Sequence, residues 1–278
     1  MTRMHFFEAM EREINFKNEY IKLEEMCEKV CSDGFYYRVS INHWIESNFW
    51  NWDNRSNYAS YMELRENLGF TLKQKKGRFV TDNIEIDINK YLLYCEMLLN
   101  VVTGLSRYRE PLLDDVINAL IDTIKSTLEL IGMEMRNVDN ELIIVEKNAV
   151  AVEVADTFPI VADPIIEYNH YLLRGDLKRK KELLIAIADS LEPKRKELNT
   201  INKRVTDDFF YMVNKMNVRH NNSDPSDEKN YNSKFAMLNN SEKEEWYDLI
   251  YEQGLTLYVL LAQKSRTEKI KVFKNEQS

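Results

Sequence analysis

Apolar residues recur every three to four positions along most of the chain, and that rhythm predicts helices. Ile21, Leu23, Met26, Cys27 and Val30 make a stripe with charges between them, so residues 1–32 read as helical up to a Ser32-Asp33-Gly34 stop. Residues 71–83 form a polar break around Lys75, Lys76, Gly77 and Arg78, and the main domain boundary is expected there. Beyond it the rhythm strengthens. Ile88, Tyr91, Leu92, Cys95, Leu98, Leu99 and Val102 mark one helix, and a second follows from Pro111 to Ile131.

Residues 133–146 interrupt the pattern. Asp139-Asn140 followed by Leu142-Ile-Ile-Val145 reads as a turn and a β-branched strand, hence a small hairpin. Helices resume over 147–157, 164–174 and 177–191, the last two split at Gly175-Asp176. A long helix over 205–220, ended by Asn221 and Asn222, leads into a polar loop of nearly twenty residues. Ser241 and Glu244 have the S-x-x-E spacing of a capping box for the last helix, with Gly254 inside it at a close helix contact. The charged tail is expected to fray from Ser265.

The fold class is therefore mainly α. A helical bundle over residues 84–264 carries one small β-hairpin, residues 1–75 form a smaller aromatic-rich helical part, and residues 265–278 are a charged tail. Composition supports this. The 278 residues include only 7 Gly and 5 Pro, too few for the turns of a sandwich or barrel or for a Gly-rich phosphate loop. Nine aromatics between Phe35 and Tyr61, three of the four Trp among them, predict a small aromatic core under short helices, or alternatively a partner-binding or base-stacking surface.

The formal net charge of −8 excludes a globally basic, nucleic-acid-attracting surface. Three Cys give no disulfide framework and fit a reducing cytoplasm. There is no apolar run long enough to span a bilayer, and Met1–Met10 lacks a signal-peptide layout, so a cytoplasmic protein without a membrane partner is expected.

Metal and nucleophile motifs lead nowhere. Cys27-x3-Cys31 places two thiols one helical turn apart without a second pair, and Glu167-x2-His170 is half of a di-iron element. No G-x-S-x-G, Walker or G-x-G-x-x-G motif exists, and neither metal nor cofactor is expected. Two basic clusters, Lys178-Arg179-Lys180-Lys181 and Lys194-Arg195-Lys196, are the candidate nucleic-acid contacts.

One polar constellation remains: Asn214, Lys215, Asn217, Arg219, His220, Asn221 and Asn222. On a regular helix, Phe209, Val213, Met216, Asn217 and His220 share one face. An imidazole can move a proton near neutral pH, and neighbouring cations can steady a phosphorane, the minimum for metal-free RNA cleavage. His220 is the candidate acid or base, Arg219 and Lys215 the phosphate contacts, and Asn217 a positioning group. The alternative is a polar helix C-terminus with no chemistry, since cations and Asn both suit that position.

The segment resembles the motif of HEPN proteins, helical bundles of bacterial toxin–antitoxin and abortive-infection systems. That motif is an Arg, four to six residues, then a His in a late helix. His220 matches the His; Lys215 stands at the spacing of the Arg, a point charge in place of a planar fork, and Arg219 falls outside the pattern. The order of elements, with Glu192-Pro-Lys-Arg-Lys196 and Asn217-Val-Arg-His-Asn-Asn222, also resembles helical proteins of low-GC bacteria linked to phage defence, though these phrases define no activity; the resemblance covers roughly residues 84–264. It implies a metal-independent ribonuclease or toxin of phage defence that dimerises to build its site. Lys215 points away from His220 on one helix, so cooperation would need that dimer. The departure at the Arg leaves a second class open: a non-catalytic helical interaction subunit, such as an antitoxin, scaffold or partner protein. The expected partners are RNA, a second copy of the chain or another protein.

Overall fold

The computed structural model describes residues 14–34, 36–70, 73–75, 78–80 and 85–276. Contacts divide the chain into two compact units, Met1–Ile131 and Gly132–Ser278.

In the first unit, helix α1 (Phe16–Glu28) starts where the Asn15 side chain accepts the Asn18 N–H, and it buries Tyr20, Leu23, Glu24 and Cys27. The chain turns extended at Lys29, so the helix stops short of Cys31. Cys31–Ser32 (β1) instead pairs antiparallel with Arg38–Val39 (β2) across the Ser32-Asp33-Gly34 turn. The two thiols are thus not one helical turn apart. The part of the expected first helix that falls in residues 1–13 lies outside the described residues.

Two short helices, α2 (Ile41–Asn48) and α3 (Tyr61–Asn67), each begin on a serine cap. The aromatic block divides between them. Trp44, Phe49, Trp52 and Tyr61 are core, whereas Tyr36, Tyr37 and Trp50 are exposed; Phe35 lies outside the described residues. The backbone at Lys73–Lys75 (β3) and Arg78–Val80 (β4) forms a second short antiparallel pair within the polar break, whose other positions lie outside the described residues. Helices α4 (Ile88–Gly104) and α5 (Asp114–Leu130) complete the unit.

The polar break does not separate two bodies. The Tyr94 ring of α4 meets Tyr20 of α1 edge-on at 4.7 Å and Phe70 at 5.2 Å, which ties both sides of the break into one core. The division falls instead at Ile131–Gly132. At the centre of this core Arg65 is buried, its guanidinium 2.6 Å from Glu24 and 3.3 Å from the Phe70 carbonyl. Tyr61 and Tyr94 present ring faces to it.

The second unit opens with the hairpin, Met133–Val138 (β5) paired antiparallel with Glu141–Glu146 (β6). Asp139 and Asn140 both take positive φ, 51° and 65°, the backbone of a type I′ turn, which suits the twist of the strands it joins. Helices α6 (Ala149–Thr157), α7 (Ala162–Glu167) and α8 (Leu177–Leu191) follow, with one 3-10 turn at Tyr171–Leu173 where a longer helix is expected. Helix α9 (Arg195–Lys215) starts ten residues earlier than the pattern predicts and ends five earlier, with a break at Asn202 (φ −151°, ψ 91°). A short helix α10 (Ser233–Ala236) precedes the long α11 (Asn240–Glu276).

The box that caps α11 is Asn239 with Glu242, not Ser241 with Glu244. The Asn239 side chain accepts the Glu242 N–H at 3.0 Å, and Glu242 accepts the Asn239 N–H at 2.8 Å. Helix α11 then continues through Glu276 rather than fraying at Ser265, with Lys264 bound to Glu197 at 2.8 Å and Arg266 to Glu153 at 2.6 Å. Gly254 marks the close contact expected of it: a Cβ there would lie 3.2 Å from Ile187 of α8 and 3.3 Å from Phe209 of α9. Among the described residues no helix is long and apolar enough to cross a membrane.

Replacing Arg65 by Ala strands Glu24 without its counter-charge, and urea unfolding should show a loss of about 3–5 kcal/mol. Cys27 and Cys95 are fully buried, and burial pushes the Cys95 thiol up to about 12. A thiol reagent should therefore modify only Cys31 of the three Cys in the native protein, and all three after denaturation.

Candidate functional site

The expected His220 site does not assemble on one helix. Helix α9 ends at Lys215, and Asn217 turns left-handed at φ 60°. Its N–H is taken by the side chain of Asn222, at 2.8 Å, and the Arg219 N–H folds back to the Val213 carbonyl at 3.1 Å. Asn222 is fully buried and donates its amide to the Asn230 carbonyl, while Asn232 donates to the Lys215 carbonyl at 2.9 Å. Two asparagines thus close the 216–232 loop on itself. His220 sits beyond this turn, exposed, and no longer shares a helix face with Phe209 and Val213.

Arg219 is committed elsewhere. It pairs with Asp189 at 3.0 Å and with Glu192, and lies 5.8 Å from the centre of the Phe210 ring. Burial would push the Glu192 carboxyl up, but Arg219 and then Arg195 outweigh it and hold it below its ordinary value. Arg219 therefore clips the chain after α9 to the end of α8.

The basic clusters are also partly neutralised. Both oxygens of Glu167 receive Arg179, at 2.6 and 2.8 Å, and Glu182 adds a third contact at 3.0 Å. That grip also occupies the Glu of the half di-iron element. Arg195 stacks on Phe210 at 4.4 Å and pairs with Glu192. Lys181 is half-buried, and burial lowers its pKa. Lys178, Lys194 and Lys196 remain exposed.

Lys180 leads to a site that the motifs did not mark. Its side chain is 7% exposed and points inward from the first turn of α8. Asp248 holds its ammonium at 2.6 Å and Glu244 at 2.8 Å, and the Tyr168 ring lies 5.2 Å away. Asp248 also accepts the Tyr168 hydroxyl at 2.9 Å, and Glu244 accepts the Gly175 N–H at 2.8 Å. Behind them Tyr168 and Tyr251 stack with centroids 4.1 Å apart and planes 12° from parallel. Tyr251 donates to the Ile165 carbonyl and accepts the Asn169 amide.

These groups floor a cleft of about 440 Å3, with Glu146, Asn148, His170, Arg174 and Glu252 around its mouth. Arg174 pairs with Glu146 there. Burial, and then the Asp248 carboxylate, raise the Tyr168 hydroxyl above its ordinary pKa, so it stays a neutral donor. Burial would raise Glu244 too, but the Gly175 N–H and Lys180 prevail and hold it down. Sequence periodicity carried a signal for this site: Lys180, Leu183, Leu184, Ile187 and Leu191 share the buried stripe of α8.

Among the described residues no cluster of three or more His, Cys, Asp or Glu side chains could hold a metal ion. No family model, curated protein or solved structure matches the chain.

Both Glu192 and Glu244 have folded pKa values below the unfolded one, so their stabilisation is present above the ordinary glutamate pKa and lost as pH falls through the folded value. Urea midpoints should drop between about pH 5 and pH 3. Glu244→Gln should lower the midpoint at neutral pH and flatten that acid limb.

Proposed function

We propose that the chain is a non-catalytic helical interaction subunit, one that acts by holding a partner. The observation that carries this reading is the grip of Asp189 and Glu192 on Arg219, one of the two cations expected to contact phosphate; the other, Lys215, is the half-buried last residue of α9. A cation that stabilises phosphoryl charge must be free to approach the ester, and Arg219 is a structural clip. The neutralised Arg179, Lys180 and Arg195 support the same reading, because a phosphate backbone would have to compete with carboxylates already in place.

The cleft above Lys180 suits a protein partner better than a polyanion. Carboxylates outnumber cations in its lining, and its floor is a network with its internal hydrogen bonds already made. A preorganised polar surface of this kind receives a polar segment with little rearrangement. The ribonuclease reading rests on the motif resemblance at Lys215 and His220, and its phage-defence setting on the phrases at residues 192–196 and 217–222.

Incubation with single-stranded RNA in chelator distinguishes the two classes. Wild type and His220→Ala should leave the RNA equally intact. Cleavage by wild type that disappears in His220→Ala overturns the proposal. Native mass spectrometry of the chain co-expressed with the products of adjacent genes should show a hetero-complex, and a chain found only by itself counts against the reading.

A further inference from the structure

Helix α11 has two chemically opposite ends. Residues 242–252 hold five carboxylates against one cation, and residues 264–276 hold five cations against two carboxylates. Glu244 and Asp248 face inward to Lys180, but Glu245 and Glu252 face solvent. At three- and four-residue steps the outward stripe runs from Glu245 through Leu249, Glu252, Thr256, Leu260, Gln263, Thr267 and Ile270 to Lys274. Leu249 is 43% exposed and Ile270 54% exposed, on a helix about 55 Å long.

The spacing is self-complementary. About a centre between Val259 and Leu260, both half-buried, Leu249 and Ile270 stand at equal distances, and so do Glu245 and Lys274. We propose that this stripe docks against the same stripe of a second copy, antiparallel, with the two-fold axis passing between the two helices at the level of Val259 and Leu260. Leu249 of each copy then meets Ile270 of the other, and Glu245 meets Lys274. A parallel pairing would set acid against acid and base against base, so charge selects the antiparallel one. Continuity also favours a second copy: the exposed end of α11 beyond Arg266 and the acidic start of α11 are covered by one and the same operation. This self-association involves the chain alone and needs no hetero-partner.

Sedimentation of the full chain tests it. Wild type should be a concentration-dependent dimer, weakened by salt. Glu245→Lys and Lys274→Glu alter two contacts each per dimer, and each should raise the dissociation constant about tenfold. The double exchange, Glu245→Lys with Lys274→Glu, should restore the wild-type value. Ile270→Asp should weaken the dimer about a hundredfold or more. Glu245 and Ile270 are exposed, so circular dichroism melts of the Glu245→Lys and Ile270→Asp monomers should be unchanged. A wild-type monomer at about 100 µM, a dimer indifferent to Ile270→Asp, or a double exchange that fails to restore association overturns the proposal.

Discussion

A cation taken out of water must be neutralised where it stands, and in each unit a helix is fixed by one that is. Arg65 in the first unit lies against Glu24 and two tyrosine rings, and Lys180 in the second lies between Glu244 and Asp248 over Tyr168. The pairing is not a large source of stability, since apolar side chains of similar volume would serve as well. It imposes geometry. Glu24 and Arg65 are 41 positions apart, and Lys180 and Asp248 are 68 apart, so neither charge is tolerable until the distant element has arrived in register. Around Lys180 that requirement builds a cleft, because the same carboxylates also hold a tyrosine hydroxyl and a backbone N–H.

Much of the architecture is legible in the hydrophobic rhythm. The Asp139-Asn140 turn and its strands follow from local chemistry, since two short polar residues tolerate the positive φ that a type I′ turn demands. The contact at Gly254 follows from the rarity of glycine in this chain. Other features depended on choices that local sequence leaves open. Asn239-x-x-Glu242 and Ser241-x-x-Glu244 have the same capping spacing, and what separates them is that Glu244 is drawn away by Lys180 and Gly175. The polar break at residues 71–83 resembles a linker in composition, yet Tyr20, Phe70 and Tyr94 pack across it.

The His220 segment shows the same limit. Nothing apolar interrupts the rhythm before His220, so the pattern carries the helix through it. The stop is the left-handed Asn217 held by Asn222, and in a chain with 27 asparagines no single one announces that role. The basic clusters misled in a related way. A run of lysines and arginines reads as a surface until the carboxylates from other elements are placed. With 46 acidic residues to 38 basic ones, most such runs will find a partner within the fold. Lys180 was visible on the apolar stripe of α8, but its charge made it look like part of a patch.

The break at Asn202 makes α9 two helices in series. The Asn202 side chain accepts the Val205 N–H at 3.1 Å and so caps the second piece afresh, while the backbone ladder across it is interrupted. The first piece is anchored in the core by Leu198 and tied to α11 through Glu197 and Lys264, and the second is anchored by Phe209, Phe210 and Val213. The two pieces therefore start independently within one run of chain, so the direction of the second is set by its own cap at Asn202 rather than inherited from the first.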